Sequence, residues 1–151
     1  MGDLVYYFNG EFVPAENATL PLGDLAIVRG FGVFDFLRTY EHETFMLREH
    51  IERLQRSAEQ IGLDLPWSLV EIESIVRETN ERNGLKDATI RLVVTGGLSG
   101  SFMLPEGKST LSVMVHKLTA YPEKLYRDGA SVITTDIGRV MPTVKSLNYI
   151  G

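Results

Sequence analysis

Hydrophobic and polar positions change period along this chain, and each change marks an element. Leu4 to Phe8 and Glu11 to Val13 flank Asn9-Gly10, a two-residue signal for a tight β-hairpin. A turn-rich connection from Asn17 to Gly23 follows. Gly32 to Tyr40, then Glu41-His42, then Glu43 to Leu47 predicts a second hairpin. Near Arg48 the period lengthens: Ile51, Leu54, Ala58 and Ile61 form one apolar stripe of a helix that Gly62 stops. Ser68-Leu-Val-Glu71 is a capping-box pattern opening a helix that carries Ile72, Ile75 and Val76 and ends at Asn83-Gly84. Period two returns in Thr89 to Thr95 and Thr110 to His116, where Leu111, Val113 and Val115 alternate with Ser112, Met114 and His116. Strands in hairpins with consecutive helices predict an α+β fold: an antiparallel sheet with helices on one face.

The polar, proline-containing stretch from Thr119 to Asp128 suits a linker, and Ala130 to Thr135 then opens a new β-type run. The expected organisation is a first domain over 1–118, a linker over 119–129, and the truncated beginning of a second domain over 130–151. A helix start is predicted at Ser146, with too little chain after it for a typical helix.

Composition narrows the function classes. At 151 residues the chain can bury one good core, and 44% hydrophobic with 23% charged residues is ordinary for a globular protein. A net charge of -5 without any Lys/Arg block argues against a nucleic-acid partner. No cysteine is present, so disulfides and thiolate metal sites are excluded, and His42, His50 and His116 lack metal-ligand spacing. No apolar run reaches membrane-span length and Met-Gly-Asp-Leu-Val lacks a signal-peptide pattern, so cytoplasm is the expected location.

Lys145 stands between Val144 and Leu147 after a β-type run. It is either an ordinary lysine with its head in water or a desolvated amine, which can capture a carbonyl cofactor as a Schiff base. Arg53 flanks the first helix's stripe, as a solvated arginine or as a planar cation for a phosphate. Arg91 interrupts an apolar strand and must face solvent or be paired. The loop Gly96 to Gly107 joins two strands without a following helix or a Gly-Lys-Ser/Thr ending, so it is a pocket lid or a plain loop rather than a phosphate cradle.

Three segments together resemble one family. Arg139-x-x-Pro142-x-x-Lys145-x-x-Asn148-Tyr149 is similar to the lysine segment of the class IV (fold type IV) pyridoxal-phosphate aminotransferases, which include branched-chain and D-amino acid aminotransferases and aminodeoxychorismate lyase. Arg53-Leu-x-x-Ser57-Ala58 resembles its phosphate-gripping segment. Arg29-Gly30-Phe31-Gly32-Val33-Phe34-Asp35-x-x-Arg38 resembles its Gly-x-x-Val-Phe-Glu-x-x-Arg strand, with Asp35 in place of the more usual glutamate.

The resemblance implies transamination between a branched-chain or D-amino acid and an α-keto acid. Pyridoxal 5′-phosphate would be held by Lys145, Arg53, Asn148 and Tyr149, with Lys145 as the catalytic base. It assigns Arg29, Phe34 and Arg91 to the substrate pocket and implies a homodimer. Gly96 stands where bacterial D-amino acid aminotransferases carry a carboxylate-binding arginine, which leaves Arg29 or Arg91 for that task. The acidic partner of the pyridine nitrogen and further phosphate-binding amides would lie beyond residue 151, so this stretch alone is expected to be inactive. Two alternatives stay open: a lyase of the aminodeoxychorismate type, and a non-catalytic domain that keeps the fold for dimerisation or binding.

Overall fold

The computed structural model describes residues 4–148. The first hairpin pairs β1 (Val5–Phe8) with β2 (Glu11–Pro14), and Asn9 and Gly10 both take positive φ, 44° and 109°. That is the backbone a two-residue turn needs to match strand twist. A 3-10 turn over Ala15–Asn17 and a short helix α1 (Leu25–Arg29) flank the turn-rich connection. The α1 helix is capped by the Asp24 side chain, which accepts from the Ala26 amide at 2.8 Å, and closed by Gly30 in the left-handed region. Five residues are too few to show helical period, so only the caps betray it in the sequence.

The long strand β3 (Gly32–Tyr40) turns through Glu41 and His42 into β4 (Glu43–Thr44). The strand predicted to reach Leu47 stops at Thr44, because Met46 adopts left-handed backbone (φ 50°) and α2 (Leu47–Gln60) begins beside it. Helix α3 (Leu69–Asn83) carries the complete capping box, Ser68 accepting from the Glu71 amide while Glu71 accepts from the Ser68 amide at 2.7 Å; Gly84 ends it. Strands β5 (Ala88–Thr95) and β6 (Thr110–Lys117) complete an antiparallel sheet of order β2-β1-β6-β5-β3-β4.

Side chains alternate across the sheet. Val33 and Leu37 of β3, Ile90, Leu92 and Val94 of β5, and Leu111, Val113 and Val115 of β6 bury against Leu47, Ile51, Leu54 and Ala58 of α2 and Ile72 and Val76 of α3. The α+β expectation with helices on one face therefore holds. The other face, carrying Phe34, Phe36, Arg91 and Met114, lines open grooves.

The 119–129 stretch contains a short helix α4 (Glu123–Asp128). Two expectations for the C-terminal region are corrected. Ala130 to Thr135 forms no strand; Val132 and Ile133 are 85% and 89% exposed, and no neighbouring strand meets this run among the described residues. A run of β-formers without a partner has nowhere to place its backbone hydrogen bonds except water. Ser146 starts no helix within the described residues but forms an isolated antiparallel bridge with Val33. Among the described residues no helix is long and apolar enough to cross a membrane.

Candidate active site

One edge of β3 is bonded to β5; the opposite edge builds the site. Along that outer edge the Leu147 amide donates to the Gly32 carbonyl at 2.9 Å, and the Phe34 amide donates to the Lys145 carbonyl at 2.9 Å. The Lys145 amide in turn donates to Ser57 Oγ of α2 at 3.2 Å. Val144, only 1% exposed, is buried in the core between sheet and helices. Lys145 is thus clamped on both flanks: backbone bonds to β3 and α2, and an apolar anchor one residue before it.

Its side chain goes the other way, toward the open face. Lys145 Nζ lies 4.3 Å from the centroid of the Phe34 ring. Together Phe34, Phe36, Arg91, Val93, Met114, Lys145 and Leu147 line a groove of about 570 Å³. The Arg91 guanidinium sits 5.9 Å from the Phe34 ring and 5.6 Å from the Phe36 ring, within cation–π range. Lys145 is half-buried and Arg91 exposed, so both reach a ligand in the groove without losing the apolar support beneath.

The next outward amide of β3, that of Phe36, is met by a side chain. It donates to Asp35 Oδ1 at 2.7 Å, and that carboxylate also receives the fork of Arg53: Nε to Oδ2 at 2.7 Å and Nη2 to Oδ1 at 2.7 Å. His50 Nδ1 lies 2.8 Å from the same Oδ1. Asp35 has no exposed surface, whereas the Arg53 side chain is 45% exposed. Burial is the strongest single influence on the carboxyl and pushes its pKa up; the hydrogen bonds from Arg53, His50 and Phe36 and the Arg53 charge together outweigh it and hold the pKa below the ordinary value. The Asp35 hydrogen bond correspondingly raises the Arg53 pKa. An ionised carboxylate only accepts, so His50 Nδ1 carries the proton. The 3.2 Å approach of Arg53 Nη2 to His50 Nδ1 is then a contact between two donors rather than a hydrogen bond.

Outward amides two residues apart on a strand are about 7 Å apart. The edge of β3 therefore presents the lysine segment and, about one such step along, a fixed arginine. Arg53 and Ser57 stand four residues apart on α2, one helical turn, so a single face of the helix reaches both the Asp35 carboxylate and the Lys145 amide.

Arg29 and Asn148 stand elsewhere. Both line a neighbouring cavity of about 300 Å³ with Gly138, Arg139 and Met141. Arg29 Nε donates to the Phe102 carbonyl at 3.1 Å, and its Nη2 contacts Met103 Sδ. The 96–107 loop is tied down further: the Leu25 amide donates to the Gly97 carbonyl at 2.9 Å, and the Glu106 carboxylate accepts from Ser99 Oγ and the Gly100 amide. Tyr149 lies outside the described residues. Asp35, His50 and Ser57 are the site residues the sequence did not single out for a role. Asp35 was detectable, since it shares the core-facing parity of Val33 and Leu37, where an unpaired carboxylate is not tolerated.

Comparison with known proteins gives the family. Residues 32–151 match the amino-transferase class IV family, and the chain belongs to it. It is 38% identical to a putative branched-chain-amino-acid aminotransferase of Methanocaldococcus jannaschii, over 95% of this chain and 51% of that protein. It is 32% identical to the D-alanine aminotransferase of Staphylococcus epidermidis, over 96% of this chain and 52% of that protein. A T.th. branched-chain amino acid aminotransferase, solved with pyridoxamine 5′-phosphate, superposes with a TM-score of 0.73 at 29% identity, over 80% of this chain and 42% of that one. The chain spans about half the length of the curated relatives it matches.

Proposed function

We propose that the whole protein transfers amino groups between an amino acid, of branched-chain or D-type, and an α-keto acid, using pyridoxal 5′-phosphate. The observation that carries this reading is the seating of Lys145: its backbone is clamped to β3 and α2 while its ε-nitrogen lies over Phe34 in an open groove. A lysine that served only solubility would need none of these restraints. The residues fit a phosphorylated aldehyde, because a half-buried amine and an arginine with an exposed edge stand along one strand edge.

When bound, pyridoxal phosphate supplies the carbonyl that takes the substrate's amine and the ring that accepts electrons from its α-carbon. Lys145 Nζ provides the covalent attachment and, once displaced, removes and returns the proton at the substrate α-carbon. Arg53 holds the phosphate. Phe34 covers one side of the amine, and Arg91, the cation sharing the Lys145 groove, takes the substrate carboxylate. Arg29 lies off that groove and stabilises the 96–107 loop beside the site. Asn148 and Tyr149 lie near the cofactor's edge in the same reading.

Homodimerisation and a cytoplasmic location also belong to this reading. The exposed apolar side chains Leu22, Ile27, Phe102, Met103 and Leu104 on and beside α1 offer a surface that pairing would cover. The test is amino transfer from L- and D-amino acids to α-keto acids by the full-length protein. Lys145→Ala should lower transfer by about a thousandfold or more. Arg91→Ala should raise KM for the keto acid about tenfold with little change in kcat, and Arg29→Ala should do so less. Transfer that survives Lys145→Ala would overturn the assignment.

A further inference from the structure

We propose that Asp35 is a positioning residue for phosphate capture: it takes up one edge of the Arg53 guanidinium so that the opposite edge is presented, in a fixed orientation, to a phosphate monoester. The inference rests on the cofactor reading above and adds a role for a residue to which that reading gives none.

A guanidinium has five N–H donors in a plane. Asp35 engages the Nε–Nη2 edge with two bonds of 2.7 Å each, and Arg53 has no other hydrogen-bond acceptor among the described residues. Both N–H groups of Nη1 and the second of Nη2 take no acceptor among the described residues, and the side chain is 45% exposed. An unrestrained arginine at the surface of α2 would sample many rotamers and lose that freedom on binding an anion. The fork fixes it beforehand. The carboxylate itself cannot move, because it has no exposed surface, accepts from the Phe36 amide of β3 and receives His50 Nδ1 at 2.8 Å.

Two effects of Asp35 on a phosphate oppose each other. Its negative charge weakens the pull of Arg53 on a second anion; its hydrogen bonds orient the donors. Orientation wins in this geometry, because the phosphate meets the far edge and the width of the guanidinium separates the two anions. Removing the charge while keeping the shape therefore distinguishes the two roles by sign.

The experiment measures the dissociation constants of pyridoxal 5′-phosphate and of pyridoxal, which lacks the phosphate, for the full-length protein and for Asp35→Asn. The expected result is about tenfold weaker binding of the phosphorylated ligand with pyridoxal unchanged. Tighter binding of pyridoxal phosphate by Asp35→Asn would show that the carboxylate only competes with the ligand, and would overturn the proposal. Equal losses for both ligands would reduce Asp35 to a structural residue and overturn it as well. A urea unfolding curve of the variant accompanies the titration. If Asp35→Asn does not fold, the partly exposed His50 supplies the same readout. His50→Ala, which unlocks the carboxylate, is expected to reduce the preference for the phosphorylated ligand, and His50→Asn, whose amide nitrogen replaces Nδ1, to restore it. No change in that preference with either would overturn the proposal. Wild-type protein that binds neither ligand refutes the cofactor reading itself, and this inference with it. Wild-type binding with an unaltered preference in Asp35→Asn refutes the inference alone.

Discussion

A carboxylate with no surface in water must be held ionised by its neighbours or give up its charge. Asp35 is held by Arg53, His50 and the Phe36 amide, and its pKa is depressed despite burial. The sign of the stability effect follows. A carboxyl whose folded pKa lies below its unfolded value of about 3.9 contributes stability that is fully present above that value. The contribution is lost as pH falls through the folded pKa. Acidification from about pH 5 toward pH 2 should therefore lower the urea midpoint more steeply in the wild-type protein than in Asp35→Asn. At neutral pH, Asp35→Asn should cost about 1–3 kcal/mol, the lower part of the range being favoured by the exposure of Arg53. Parallel acid profiles for the two proteins would contradict this assignment. At this scale Lys145, Arg53 and Arg91 were candidates in the sequence because the segments that carry them resemble those of the family, whereas residue type alone left each of them open to an ordinary solvated reading. The sequence did not reveal the Asp35–Arg53 fork, which joins a strand to a helix and becomes visible only once the two elements pack.

Elements decide how firmly the lysine is held. Gly32 is where the lysine segment, β3 and β5 converge. A Cβ there would lie 2.6 Å from Leu147 Cδ1 and 2.6 Å from the Val94 carbonyl oxygen. The leucine methyl can rotate aside; the carbonyl belongs to the ladder between β3 and β5 and cannot. Gly32→Ala should accordingly destabilise the protein by about 1–3 kcal/mol, read from chemical unfolding. A change below about 0.5 kcal/mol would show that the three segments are not packed as described.

The same scale explains which elements were legible. Helix α3 announces both its ends, by Ser68 with Glu71 and by Asn83-Gly84, and it forms as expected. The hairpin turns at Asn9-Gly10 and Glu41-His42 were equally readable. The α1 helix is too short to show a period. The end of β4 depends on a left-handed Met46, which no local propensity announces. The β-type run at 130–135 carries the right residues but has no strand beside it among the described residues, and propensity alone does not make a strand.

At the scale of the molecule, sheet, helices and strand edge have one geometrical result. The helical layer buries the core and holds Arg53 and Ser57 from one side, while the outer edge of β3 receives the lysine segment and points its amine toward the open face. Members of the family to which the chain belongs differ in the amino acid named for them, branched-chain in one relative and D-alanine in another. Common to either substrate is the proposed covalent attachment point, Lys145. The direct test is to load the full-length protein with pyridoxal 5′-phosphate, reduce it with borohydride, digest it and locate the modified peptide by mass. One phosphopyridoxyl group per chain is expected, on the peptide containing Lys145. Modification of a different lysine, or of none, would contradict this assignment.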